Sequence, residues 1–201
     1  MINLLTQNSK MKHTSKENGV KIMNFSIPAY KTKSGKITCP FADGCVKFCY
    51  AQKGNYTRFP VVKEMMEQKY TISKQPDFVE LMSKEVIKKK ATHIRIHDSG
   101  DFYSINYLLK WVNIANDNPG VIFYAYTKSI QFFKGCINIP ANMIIIYSEG
   151  SKKDELINIA KDRHARIFQS IKELTGAGYI DASTNDLQAI QSNKKVGLIF
   201  H

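Results

Sequence analysis

The sequence predicts an α/β fold, a partial (β/α) barrel of about five or six mainly parallel strands. Three observations point there. Short apolar, β-branched runs recur along the chain, segments of helical period with capping signals separate them, and the strands are too few to close an eight-stranded barrel. Alternation of this kind implies βαβ units with right-handed crossovers.

Residues 22–27 form the first apolar run, and the Pro, Lys, Ser and Gly of residues 28–35 mark a long loop after it. Pro60 opens a helix to about residue 73, and Pro76 opens another in which Phe78, Met82 and Val86 recur every four residues. Residues 92–97 alternate, with Ile94 and Ile96 on one face and His93, Arg95 and His97 on the other. This predicts a strand whose polar face looks into the barrel. Ser104 caps a helix with Leu108, Val112 and Ala115 as its apolar stripe, and residues 121–127 read as the next strand. A strand at 143–148 follows, then Ser151 and Asp154 in capping-box spacing, which predicts a helix to about residue 163. Residues 165–169 and 196–200 are further strands, with a helix near 186–191 between them. A single domain over residues 1–201 is expected, with residues 1–20 as a less ordered N-terminal extension.

A formal charge of +12 comes mostly from lysines scattered along the chain, with Lys88, Lys89 and Lys90 as the one run of three. Such charge attracts nucleic acid and acidic partners without naming one, and with no nucleic-acid motif beside it a solvated lysine surface is the simpler reading. No apolar run is long enough for a signal peptide or a membrane span, so a soluble protein of the cytoplasm is expected. In that setting four cysteines argue for metal or redox chemistry rather than a disulfide framework.

Cys39, Cys45 and Cys49 fall within eleven residues, separated by five and three. A loop this short wraps three thiolates around one compact inorganic core, which suits an iron–sulfur cluster better than the paired ligands of structural zinc; a metal-free thiol loop is the remaining alternative. Gly44 lets the backbone turn between ligands, and Phe41, Phe48 and Tyr50 are placed to shield the site. Cys136 is almost ninety residues away. A lone cysteine is more often a small buried hydrophobe than a ligand, so the fourth position is left to Cys136, His97 or a small molecule.

The strand at 92–97 runs into Asp98, Ser99, Gly100, Asp101 and Phe102. In a parallel sheet the loops after the strands share one end, so this acidic turn should face the cysteine loop, although the same residues also make an ordinary turn. A cysteine-triplet loop after the first strand, followed by a Gly-acidic turn after the next, resembles the radical S-adenosylmethionine (SAM) superfamily. The resemblance implies a radical SAM-like half-barrel with a four-iron (4Fe-4S) cluster on Cys39, Cys45 and Cys49. It also implies SAM held at the open iron by Ser99, Gly100 and Asp101, with Arg95 and His97 beneath and Phe102, Tyr103, Tyr124 and Tyr126 excluding water. The cysteine spacing differs from the three and two residues of most members. Residues 45–56, 95–103 and 123–128 more closely resemble the phage family named for gene product 88, which implies a phage origin and the cytoplasm of the host cell. The resemblance implies that many members carry a further cysteine cluster shortly before a C-terminal His, and this chain does end at His201. Residues 183–187 here read Ser-Thr-Asn-Asp-Leu, so no second metal site is expected.

Three functions fit these residues. The first is radical-type catalysis at a cluster, the second is a non-enzymatic cluster protein that carries electrons from a donor or senses redox state, and the third is a basic nucleic-acid-binding protein with a structural metal. A short chain with little material for a substrate-covering domain favours the second.

Overall fold

Side chains of alternating character sort onto the two faces of one parallel sheet in the computed structural model, which describes residues 2–135, 138–191 and 195–200. Among these residues there are seven strands: β1 (Ile22–Phe25), β2 (His93–Ile96), β3 (Ile122–Thr127), β4 (Met143–Ser148), β5 (His164–Phe168), β6 (Ile180–Asp181) and β7 (Lys195–Ile199). Their order is β1-β2-β3-β4-β5-β7-β6, and every pairing is parallel. The helices are α1 (Ser9–Asn18), α2 (Asn55–Arg58), α3 (Pro60–Lys74), α4 (Phe78–Lys89), α5 (Ile105–Asp117), α6 (Ile130–Lys134), α7 (Ile171–Gly176) and α8 (Gln188–Gln191). The result is the expected α/β partial barrel with one strand more than the six segments read from the sequence, the surplus being the two-residue β6.

On the outer face Phe25, Ile94, Ile96, Phe123, Ala125 and Met143 pack against Phe78, Met82 and Val86 of α4 and Leu108, Trp111 and Val112 of α5. This is the larger core. Its helix ends match their signals, since the Ser104 side chain accepts from the Tyr107 amide at 3.2 Å and Pro60 stands in the first turn of α3. The inner face carries Ile22, Tyr124, Ile146, Ala165 and Val196, and is plugged by Met11 of α1 and by Leu187, Ala189 and Ile190.

Residues 2–20 are not the loose extension that their polar composition suggested. Leu4 and Leu5 are buried in the outer core, Thr6 bridges antiparallel to Asn24, and Asn8 caps α1 by accepting from the Met11 amide at 2.9 Å. Two buried leucines and one plugging methionine are enough to fix the segment, a tertiary effect invisible to composition. The helix expected over 151–163 is also absent. The Asp154 carboxylate accepts from the amides of Gly150 and Ser151 at 2.7 and 2.8 Å, but only the short 3-10 turn Asp154–Leu156 follows. Asn158 and Asp162 then close a second turn with their own side chains, competing with helical bonds.

Two glycines are demanded by close approach. Gly100 sits at φ +83°, where a Cβ would lie 2.3 Å from Cγ1 of Ile27, and Gly197 of β7 leaves room for Leu174 of α7, whose Cδ1 would lie at the same distance. Gly178, at φ +74°, has open space around it. Gly100→Ala should therefore lose about 2–4 kcal/mol, combining left-handed strain with overpacking, while Gly178→Ala should lose only about 1 kcal/mol. Urea titration of both variants measures the difference.

Candidate functional site

Because the sheet is parallel, the loops after β1, β2, β3, β4, β5 and β7 all emerge at one end. There they enclose a cavity of about 380 Å³. Its rim and walls include Cys39, Cys45 and Cys49 from the loop after β1, His97 to Asp101 from the turn after β2, and Lys128 and Ser148 after β3 and β4. Arg95 and Tyr126 form its floor, and Ile167, Leu198, Ile199 and Phe200 its apolar side. Cys39, Cys45 and Cys49 and the turn residues up to Asp101 thus line one space. Cys136 and the side chain of Phe48 lie outside the described residues.

The cysteine loop is pinned where it leaves β1. Residues 31 and 37 bridge antiparallel, the Thr38 hydroxyl donates to the Pro28 carbonyl at 2.6 Å, and the Tyr30 amide donates to Sγ of Cys39 at 3.3 Å. Farther on, Ala42 bridges to Ser151 and the Lys152 amide donates to the Phe41 carbonyl at 2.9 Å. Phe41 packs edge-on against Phe132. All three thiols are free and half-buried. Burial, with the Asp101 charge nearby, pushes the Cys39 thiol up to about 12, and burial also raises Cys45. Without a metal, Cys39 therefore holds its proton at neutral pH, and ligation would release it. Among the described residues no three His, Cys, Asp or Glu side chains converge tightly enough to hold a single metal ion.

In the acidic turn, Asp101 has its carboxylate bonded within the chain. Its Oδ1 accepts from the Thr127 hydroxyl at 2.6 Å and the Phe102 amide at 2.7 Å, and its Oδ2 from the Lys128 amide at 2.8 Å. Its own amide donates to the Thr38 carbonyl at 3.1 Å, beside Cys39. Burial raises the Asp101 carboxyl, and these donors oppose that rise. Gly100 is backed by Ile27, whose amide donates to the Ser99 carbonyl at 3.1 Å.

His97 departs from the expected alternation. It takes the left-handed conformation at φ +66°, which turns its ring out of the barrel into an aromatic layer of Phe25, Phe102, Tyr107 and Trp111. Its Nε2 pairs with the Tyr107 hydroxyl at 2.8 Å, and burial holds its pKa down to about 3, so the ring is neutral. Tyr103 stacks on Tyr107 at 4.3 Å and bonds Ser73, away from the cavity, and Phe102 packs beside it on Phe133. Of the aromatic residues expected to exclude water, Tyr126 alone lines the cavity; Tyr124 lies below, donating to Asp186 at 2.8 Å.

Two carboxylates organise the site: Asp98, which the sequence placed in the acidic turn without a role of its own, and Asp186, which sequence reasoning missed. Asp98 accepts from Ser26, from the Tyr56 hydroxyl at 3.0 Å and from Asn8 at 3.1 Å, while the Tyr50 hydroxyl donates to its carbonyl, so residues 50–56 are tied over the cavity mouth. Asp186, fully buried, pairs with Arg95 at 3.0 Å and Lys10 at 2.6 Å. Burial would raise the Asp186 carboxyl, but Arg95 and Lys10 outweigh it and hold it down at about 2. Nothing in the local sequence of Lys10 or Asp186 announces that pairing.

Fold and site define an α/β partial-barrel protein with a thiol-lined cavity at the carboxyl end of its strands. A family model described as Gene product 88 matches residues 3–199, and the chain belongs to that family. The Gene 88 proteins of Mycobacterium phage L5 and Mycobacterium phage D29 are each 31% identical to it over 103 residues. Those stretches cover 45% of this chain, and 43% and 42% of the two relatives, so the chain matches less than half of their length. No solved structure matches the chain. Among the described residues no helix is long and apolar enough to cross a membrane.

Asp101→Asn leaves one backbone or hydroxyl donor facing an amide nitrogen, and should cost about 2–3 kcal/mol in chemical denaturation. A ligand-binding role alone would leave stability unchanged. Asp186 supplies a pH signature. With a folded pKa of about 2 against an ordinary carboxyl near 3.9, it adds about 2 kcal/mol that is present above about pH 4 and lost as pH falls toward 2. The stability gap between the unchanged protein and Asp186→Asn should therefore shrink across that window.

Proposed function

We propose that the protein holds a four-iron cluster on Cys39, Cys45 and Cys49 and uses it for redox chemistry on a small molecule bound in the same cavity. The observation that carries this reading is the convergence of three free thiols from one pinned loop on one enclosed space. The donor set fits the group. A single tetrahedral ion needs its ligands on one centre, and among the described residues no such group of three is formed; a cluster instead takes each thiolate on its own iron, which is the donor set that three cysteines of one loop offer. The Tyr30 amide on the Cys39 sulfur supplies the kind of hydrogen bond that tunes a cluster's potential.

When bound, the cluster would supply one-electron chemistry. The chain's own residues then divide the remaining work. Residues 50–56, tied down by Asp98, keep water from the mouth, and Lys128 places a cation beside Cys45, where it favours the thiolate. Asp101 holds the turn to β3, so a SAM molecule in this cavity would find the Ser99 hydroxyl available and the Asp101 carboxylate already committed. A simple electron carrier needs no such enclosed space. Among the described residues, three buried polar atoms without hydrogen-bond partners belong to residues whose side chains line the cavity: Arg95 Nε, Ser99 Oγ and Tyr126 OH. Unpaired buried polar atoms are costly, and a bound molecule repays them.

Purification without oxygen should give a brown protein, and single Cys39→Ala, Cys45→Ala and Cys49→Ala variants should each lose most of the iron and sulfide found by chemical analysis. Full retention of iron by Cys45→Ala would sink the assignment. Electron paramagnetic resonance of the reduced protein, with and without SAM, separates a catalytic cluster from a carrier.

A further inference from the structure

We propose that the cavity floor is a binding site for a small organic acid with an apolar body, its anionic end against Arg95 and Tyr126 and its hydrocarbon part against Ile167 and Leu198. The inference rests on inner-face residues and not on the cysteines. Arg95 and Tyr126 stand at alternate positions of β2 and β3 that face inward, and the Arg95 guanidinium lies over the Tyr126 ring at 5.1 Å. Arg95 spends Nη1 on Asp186 at 3.0 Å, while its Nε and the Tyr126 hydroxyl are buried without a hydrogen-bond partner.

A guanidinium N–H only donates, so the missing group must accept. Lys10 and Arg95 share the carboxylate of Asp186, Asp181 also acts on Lys10, and Arg163 acts on Tyr126. With Lys128, Asp98 and Asp101, which also line the cavity, the surrounding charges balance, and the group that faces the ligand's polar end is the Arg95 guanidinium, whose unpartnered N–H bonds a carboxylate more strongly than a neutral acceptor. A bare inorganic anion would leave the other side of the space unused, because Ile167, 43% exposed, and its neighbours Leu198 and Ile199 line it with hydrocarbon. Burying that wall under an apolar body is favourable in itself. The volume of about 380 Å³ is that of a small-molecule pocket.

The test uses the full chain purified without oxygen, its iron content recorded on the same sample so that acid binding and cluster binding are scored separately. Phenylacetate, 4-methylpentanoate and octanoate are titrated by calorimetry and ligand-observed NMR beside their neutral amides and inorganic phosphate. At least one acid should bind about tenfold or more tighter than its amide, and tighter than phosphate. Tyr126→Phe should weaken that acid about tenfold without lowering the melting temperature, since the hydroxyl it removes has no protein partner to lose. Ile167→Glu, at a half-open position, should weaken it as well and serves as the second variant if Tyr126→Phe does not fold. Absence of binding by all three acids, equal binding of acid and amide, phosphate competing as well as the acids, or unchanged affinity in the folded variants would each overturn the proposal.

Discussion

The carboxylate of Asp101 is the joint on which the cavity end of the barrel depends. Three donors from two strands' ends meet on it, and its own amide reaches back to Thr38, so one side chain and its peptide link the loops after β1, β2 and β3. A carboxylate suits the task because two oxygens accept from several directions at once, which a neutral side chain of this size cannot match. Cys39 is one residue from the Thr38 carbonyl that receives that bond. Placement of the first thiol is therefore set by the same contacts that close the turn. Gly100 works beside it by letting the turn lie flat on Ile27.

Below that joint the barrel interior is unusually polar for a plugged core. Lys10, Arg95, Tyr124 and Asp186 form a connected buried network, and its members come from α1, β2, β3 and the segment before α8. Such a network is costly to break, since removing one partner strands a buried charge. It also explains why the N-terminal segment is ordered. Lys10 reaches the network from α1, and its Nζ also donates to the Ala182 carbonyl at 2.8 Å. The segment acts as the barrel's bottom plug.

Much of this was legible in the sequence, and the parts that were not share a cause. Strand and helix order could be read because apolar periodicity is local, and the cysteine loop and acidic turn were bound to meet once the sheet was parallel. What failed was the inference from alternation at the end of a strand. His97 continues the polar face on paper, yet one positive φ sends its ring to the opposite side, among Phe102 and Trp111. Asp101 looked available because its partners, a hydroxyl and two amides, leave no mark in sequence as a cationic partner would. α7 was overlooked although Ser170 and Glu173 stand in capping-box spacing, with the Glu173 amide donating to Ser170 at 3.2 Å. The 151–163 segment shows the converse, the same spacing ending in a turn, because asparagine and aspartate side chains can outbid a helix over a few residues.

The position of β7 between β5 and β6 has a consequence for how the protein comes into being on the ribosome. A chain emerging from its N-terminus can lay down β1 to β5 in sequence, each strand beside its predecessor, but β6 has no neighbour until the later strand slides in beside it. The apolar side of the cavity, Leu198 to Phe200, arrives with that strand. The thiols at residues 39–49 are thus synthesised long before the space they face is enclosed. For that interval the cell is presented with three cysteines on an open half-built surface, exposed until the last strand comes.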